Sequence, residues 1–305
     1  MNGPLTLLRP HLRDLGGLVV RRLLPAHPVR SVGPFVFFDH FGPVAFKPGE
    51  GIDVRPHPHI GLATVTYLFD GALTHRDSLG TVQRITPGDV NWMTAGRGIV
   101  HSERTGAADR AAGTAMHGLQ TWVALPRADE EAAPGFVHVP ATQLPRFRHP
   151  GVEGVVVAGR AFGFEAPVPT FSPTLYVALA LTAGASLELP AEHDERGIYA
   201  IDGTLDIDGQ PVLPQHLALL PAGRTVSLRA SSAARAMLVG GAVLDGPRFV
   251  WWNFVSSSRE RIEAAKEGWR MQRFGQVPGE TEFIPLPDTP PPASNEPEPG
   301  AGTIP

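Results

Sequence analysis

Short apolar runs punctuated by glycine- and proline-bearing turns recur along most of this chain, and that rhythm confines it to an all-β fold. Between about Leu18 and Leu125 the runs are dense: Phe35 to Phe38, Ala63 to Phe69, Thr81 to Ile85, Val90 to Met93, Ile99 to Glu103 and His117 to Ala124. Ala63 to Phe69 is rich in β-branched and aromatic residues, which fit a pleated, half-buried surface. Asp70-Gly71 then supplies a hairpin turn, and Pro87-Gly88 and Ala95-Gly96 separate later runs. No helical periodicity intervenes, so a sandwich or barrel is expected. The 34 glycines and 32 prolines in 305 residues are what such a succession of tight turns needs.

The second half repeats the pattern. Residues 126–150 are richer in charge and proline and read as a linker, after which strand signals resume at Val152 to Val157 and Leu175 to Leu181. Asp70-Gly71-Ala72-Leu73 is echoed by Asp202-Gly203-Thr204-Leu205, and Ala95-Gly96 by Ala222-Gly223. The two offsets differ only by the length of a loop, which favours a duplicated β-domain. Ser257-x-x-Glu260 is a capping-box pattern opening a helix that carries Ile262, Ala265 and Trp269 on one face. Beyond about Pro287 the chain lacks apolar residues to bury, and a disordered tail is expected.

Several function classes fall away. There is no cysteine, which excludes disulfides, thiolate catalysis, iron–sulfur clusters and zinc ribbons. A net charge of −4 without a Lys/Arg block offers no footprint for nucleic acid. No basic stretch precedes an apolar leader, and no apolar run approaches a membrane span. A soluble, cytoplasmic protein is expected.

Two segments carry the chemistry. In Arg55-Pro56-His57-Pro58-His59-Ile60-Gly61 the prolines favour extended backbone, and side chains two apart in an extended chain share a face. His57 and His59 therefore form a two-toothed clamp. Proline is tolerated at the start or edge of a strand, which puts the clamp at a barrel mouth. In Thr94-Ala95-Gly96-Arg97-Gly98-Ile99-Val100-His101-Ser102-Glu103, the same alternation puts His101 and Glu103 on one face. Two strands each offering two ligands can close on one ion through three imidazoles and a carboxylate. That donor set suits Fe(II) with open positions, and zinc, copper, nickel or manganese fit the same ligands. Isolated histidines are more often surface or core groups than ligands. His11, His27, His138 and His149 are assigned so, as are His40, His75, His117, His193 and His216 for want of a partner.

With both segments in hand, the chain resembles the cupin superfamily and, within it, the pirin family. The cupin first motif is matched by Gly51 and, five residues on, His57-Pro58-His59. The pirin likeness is closer. It runs through Phe38-Asp39-His40-Phe41-Gly42-Pro43, Pro56 to Gly61, Pro87-Gly88-Asp89 and Asn91 to Glu103, and Trp251 to Ser256 with the following helix resembles bacterial members. The resemblance implies two tandem jelly-roll cupin β-barrels with a short C-terminal helix. It divides the chain into an N-terminal metal-binding cupin (1–130), a linker and first strand of the second half (131–160), a metal-free C-terminal cupin with the helix (161–286) and a tail (287–305). It implies one metal ion, held by His57, His59, His101 and Glu103. Counting from Ala222-Gly223, Leu228 and Ala230 stand where His101 and Glu103 would, and His193 lies near the counterpart of His59. Where many cupins carry Glu after the second histidine this chain has Ala63, which is expected to remove an acid from beside the site.

Some pirins are similar in activity to quercetin 2,3-dioxygenases. The implied function is oxidation of a flavonol-like aromatic substrate by O₂, with Glu103 as fourth ligand and base. A second reading is a non-enzymatic, metal- and redox-responsive regulator acting through protein partners, with no direct contact to nucleic acid or membrane.

Overall fold

The computed structural model describes residues 4–14 and 18–288. The chain forms two cupin barrels, each a larger antiparallel sheet packed on a four-stranded one. In the first, the larger sheet runs Gly135–Val139, Val90–Thr94, Leu62–Asp70, Thr114–Ala124, Phe35–Phe46, Val19–Leu24 and His11–Asp14. The smaller runs Asp53–His59, Ile99–Arg104, Leu73–Asp77 and Val82–Ile85. In the second barrel the larger sheet runs Leu7–Leu8, Leu217–Leu220, Glu195–Asp202, Ala234–Gly241, Thr174–Leu181, Val152–Ala161 and Arg146–His149, against Ser186–Leu189, Val226–Ala230, Leu205–Ile207 and Gln210–Val212.

The strand alternation read from the sequence decides what each face buries. From the larger first sheet, Leu62, Met93 and Trp122 point into the barrel and meet Ile99 of the smaller one. Ala63, Val65, Trp92, Leu119 and Val123 point the other way, into a core shared with Tyr176, Ile198, Tyr199, Met237 and Val239 of the second barrel. Phe35 meets Tyr176 at 5.2 Å between ring centroids, and Phe38 meets Tyr199 edge-on at 5.0 Å. Each such fully buried aromatic contributes about 1.5–3 kcal/mol of transfer free energy. His40, expected to be without a partner, joins this interface through Tyr199 Oη (2.7 Å) and His117 Nε2 (2.7 Å).

Three local expectations change. The run at Phe35 to Phe38 is the start of a strand reaching Phe46. Gly42-Pro43 does not end it, because Gly42 at φ +74° takes a bulge where a Cβ would lie 2.0 Å from the Met116 carbonyl oxygen. The helix Arg259–Arg270 buries Ile262, Ala265 and Trp269 as expected, but its cap is Ser258, whose hydroxyl accepts from Arg261 N, rather than Ser257. Ser257 is engaged instead by the Glu130 carboxylate, to which its N and Oγ both donate. Finally, Gly135–Val139, within the expected linker, is a strand of the first barrel, while Leu7–Leu8 pairs into the second. Residues 289–305, most of the expected tail, lie outside the described residues. Among the described residues no helix is long and apolar enough to cross a membrane.

The chain then returns from the second barrel to the first. The hairpin Phe249–Trp251/Phe254–Ser256, the helix and the segment behind it cover the outer face of the four-stranded sheet, burying Ile60 and Val100 with Phe254, Trp269 and Val277. Ile284 N donates to Pro56 O, and Glu280 receives Ser102 Oγ and Arg104.

Candidate metal centre

The clamp lies on Asp53–His59, an edge strand of the smaller sheet, where Pro56 and Pro58 deprive no central ladder of a donor. Its neighbour Ile99–Arg104 sets His101 directly opposite His57. The imidazoles of His57, His59 and His101 are buried, with ring centroids 4.4–5.0 Å apart. One ligand nitrogen from each lies within 4.8 Å of the others, and no other described trio of metal-capable side chains comes together so.

The hydrogen bonds decide which nitrogens face inward. His57 Nδ1 donates to Arg55 O at 2.9 Å, and His59 Nδ1 to Asn253 O at 3.1 Å, leaving each Nε2 for the centre. His101 Nδ1 meets His75 Nδ1 at 3.4 Å, while its Nε2 is buried with no partner at all. A buried polar atom without a partner is rare and costs about 1–3 kcal/mol. Three imidazole nitrogens converging in one cluster are a donor set that fits a divalent ion. Burial pushes the His57 pKa down to about 4 and those of His59 and His101 well below the ordinary value, so all three rings are neutral near pH 7.

Glu103 stands apart from this trio. A bulge between His101 and Glu103 shifts the register, pairing Glu103 with Val54. Its Oε1 accepts from Thr66 Oγ1 at 3.2 Å, and Thr66 in turn meets Gln120 Oε1 at 2.8 Å. Burial raises the Glu103 pKa, partly offset by His75 and Thr66.

Four contributors were not singled out from sequence. His75 and Asp77 lie on Leu73–Asp77, opposite Glu103 and His101 respectively. His75 Nε2 sits 3.0 Å from Asp77 Oδ2, so His75 does have partners. The H-x-D spacing repeats the H-x-H alternation and was the available signal. Thr66 and the backbone of Asn253 carried none. Around the histidines the wall is aromatic: Trp122 stacks on Phe37 at 3.9 Å and meets His59 edge-on at 5.2 Å, and Phe136 stacks on His75 at 4.3 Å.

Ala63 needs correction. Gly61 at φ +68° turns the chain between the clamp and Leu62–Asp70 and resets the alternation. Ala63 therefore faces the core between the barrels, and the residue pointing at Glu103 from this strand is Thr66. A carboxylate at 63 would be buried away from the histidines. His193 is likewise displaced: the counterpart of His59 is Leu189, and His193 Nε2 bonds to Arg160 O on the surface.

A family model of the pirin domain matches residues 17–123, and one of the pirin C-terminal cupin domain matches residues 176–275. The chain belongs to the pirin family. A pirin-like protein of Caulobacter vibrioides is 48% identical over 281 residues, covering 90% of this chain and 96% of that one. Mouse pirin is 34% identical, over 85% of this chain and 89% of its own. Among solved structures, a quercetin 2,3-dioxygenase from Acinetobacter baumannii superposes with a TM-score of 0.86 at 34% identity, covering 95% of this pirin-family chain and 98% of its own.

Proposed function

We propose that His57, His59, His101 and Glu103 together hold one divalent metal ion, Fe(II) before zinc, copper, nickel or manganese, and that the chain oxidises a flavonol-like substrate with O₂. The observation that carries this reading is the partnerless, buried His101 Nε2, turned toward His57 and His59 beside an aromatic wall. The likeness to a quercetin 2,3-dioxygenase supports the choice of substrate. When bound, the ion supplies a Lewis acid for the adjacent hydroxyl and carbonyl oxygens of a flavonol and, as Fe(II), a source of electrons for O₂.

The chain's own residues do the rest. Phe37 and Trp122, stacked on each other, form an aromatic wall beside His59. Glu103, whose pKa burial raises, is the group that takes the flavonol hydroxyl proton. Thr66 donates to Oε1 and so fixes the orientation of the carboxylate.

Oxygen consumption with quercetin tests the reading, using anaerobically Fe(II)-loaded protein and a His57→Ala/His59→Ala control. Rapid uptake that the control lacks is expected. No uptake by protein carrying one metal per chain, by elemental analysis, would overturn the flavonol assignment.

A further inference from the structure

Of the three ligand histidines, two rest their Nδ1–H on backbone carbonyls, of Arg55 and Asn253. Those acceptors are fixed by the fold. The third is different: His101 Nδ1 faces another imidazole, His75, which is itself backed by Asp77. All three groups are buried, and none of the proposed steps above uses His75 or Asp77.

The protons along this line can be assigned from its far end. Asp77 Oδ1 accepts Leu79 N at 2.9 Å and Thr81 N at 3.0 Å, so the turn after the strand fixes the carboxylate's orientation and presents Oδ2 to His75. Both oxygens of this buried carboxylate thus face ring or backbone nitrogens, Oδ1 two N–H groups and Oδ2 the His75 ring at 3.0 Å, with no acceptor set against either. An ionised carboxylate only accepts, so His75 Nε2 carries a proton. In a neutral imidazole the other nitrogen is then bare, so His75 Nδ1 accepts from His101 Nδ1–H. His101 Nε2 is left without a proton, and it is the atom found buried with no partner. The opposite polarity would put an N–H there with no acceptor within hydrogen-bond distance. Phe136, stacked on His75 at an interplanar angle of 22°, holds the ring in the plane that the chain requires.

We propose that Asp77 and His75 are positioning residues that lock His101 into its Nδ1–H tautomer, presenting a bare, carboxylate-polarised Nε2 to the ion. The use of that nitrogen rests on the metal reading above; the tautomer does not. An imidazole whose N–H is backed by a carboxylate is a more basic ligand, and losing such a partner typically lowers metal affinity about 10- to 100-fold.

The chain makes an unusual demand on Asp77→Asn. The backbone donors of Leu79 and Thr81 still need an oxygen, so the new amide nitrogen must take the place of Oδ2 and donate to His75 Nε2. His75 then carries its proton on Nδ1, and His101 must move its own to Nε2, against the ion. Asp77→Ala breaks the chain without reversing it. In His75→Gln the side-chain carbonyl can still accept from His101 Nδ1–H.

Nitrogen-15 NMR of histidine-labelled, metal-free protein reads the tautomers directly, and zinc competition against a chromophoric chelator at pH 7 reads affinity. In the wild-type protein His101 is expected to carry its proton on Nδ1. In Asp77→Asn it moves to Nε2, and zinc affinity falls 10- to 100-fold, further than in Asp77→Ala. His75→Gln keeps the wild-type tautomer and binds within a few-fold of the wild type. A wild-type His101 protonated on Nε2 overturns the proposal without recourse to any variant. So does a folded Asp77→Asn protein with unchanged tautomer and affinity. Wild-type protein with the stated tautomer that takes up no zinc overturns the metal reading instead, and leaves the proton chain standing.

Discussion

The two barrels are the same frame filled in opposite ways. The pairing of the smaller sheets aligns them residue by residue: His101 opposite His57 matches Leu228 opposite Leu187, and Ile99 opposite His59 matches Val226 opposite Leu189. On the other flank, His101 opposite Asp77 matches Leu228 opposite Ile207, and Glu103 opposite His75 matches Ala230 opposite Leu205. Every polar position of the first set is thus aliphatic in the second, and all six of those aliphatic side chains are buried. The frame itself is indifferent to chemistry. What differs is that the first barrel leaves nitrogen atoms facing one another where the second packs methyl groups, giving up hydrophobic stabilisation for a reactive interior.

That contrast can be broken from either side. His101→Leu copies the second barrel into the first and is expected to abolish metal uptake, measured as bound metal per chain after reconstitution and desalting. The metal-free protein should lose little thermal stability, since a buried imidazole with its Nε2 unpartnered is exchanged for an apolar side chain. Leu228→Asp is the reverse error: a carboxylate among Leu187, Leu205 and Ile207 has no partner. Urea unfolding should show a loss of about 3–5 kcal/mol with no metal bound in exchange. Glu103→Gln keeps the shape of the site and removes its base. Bound metal is expected to persist while flavonol oxidation falls roughly 100-fold or more, and wild-type turnover in this variant would sink the role assigned to Glu103.

The mildest test is pH. The pKa of His57 lies near 4 in the folded protein, that of His40 near 3 and that of His117 near 4, each ordinarily 6.5. Between about pH 6.5 and 4 the unfolded chain binds protons that the folded one refuses, so stability falls as pH falls through that window. The midpoint temperature of metal-free protein should drop steadily from pH 7 to 4, and bound zinc should blunt the drop. His40 and His117 lie between the barrels, so pairing His57→Leu with His40→Leu would apportion the slope between the site and the interface.

How far the site could be read in advance follows from strand geometry. His57, His59 and His101 were legible because period-two alternation inside a strand needs no knowledge of its neighbours. Ala63 was misread because its place was taken from a motif count alone, and Gly61, whose left-handed backbone separates the two strands, sets which face it takes. His75 and Asp77 show the same H-x-D spacing as the ligands, but their role depends on which strand pairs with which, a long-range fact. The helix start was one residue out because adjacent serines both suit a cap, and only the distant Glu130 decides between them. The Asn253 carbonyl is backbone and leaves no trace in residue type.

Asn253 lies 194 residues beyond the ring that it orients. At typical synthesis rates of about 5–20 residues per second, roughly 10–40 s separate the emergence of His59 from that of its acceptor. A nascent first barrel therefore leaves the ribosome with one of its three imidazoles not yet braced, and the segment from Ile284 that backs Pro56 arrives later still. The fully braced arrangement of the three imidazoles thus exists only once the second barrel and the segment behind it have been made.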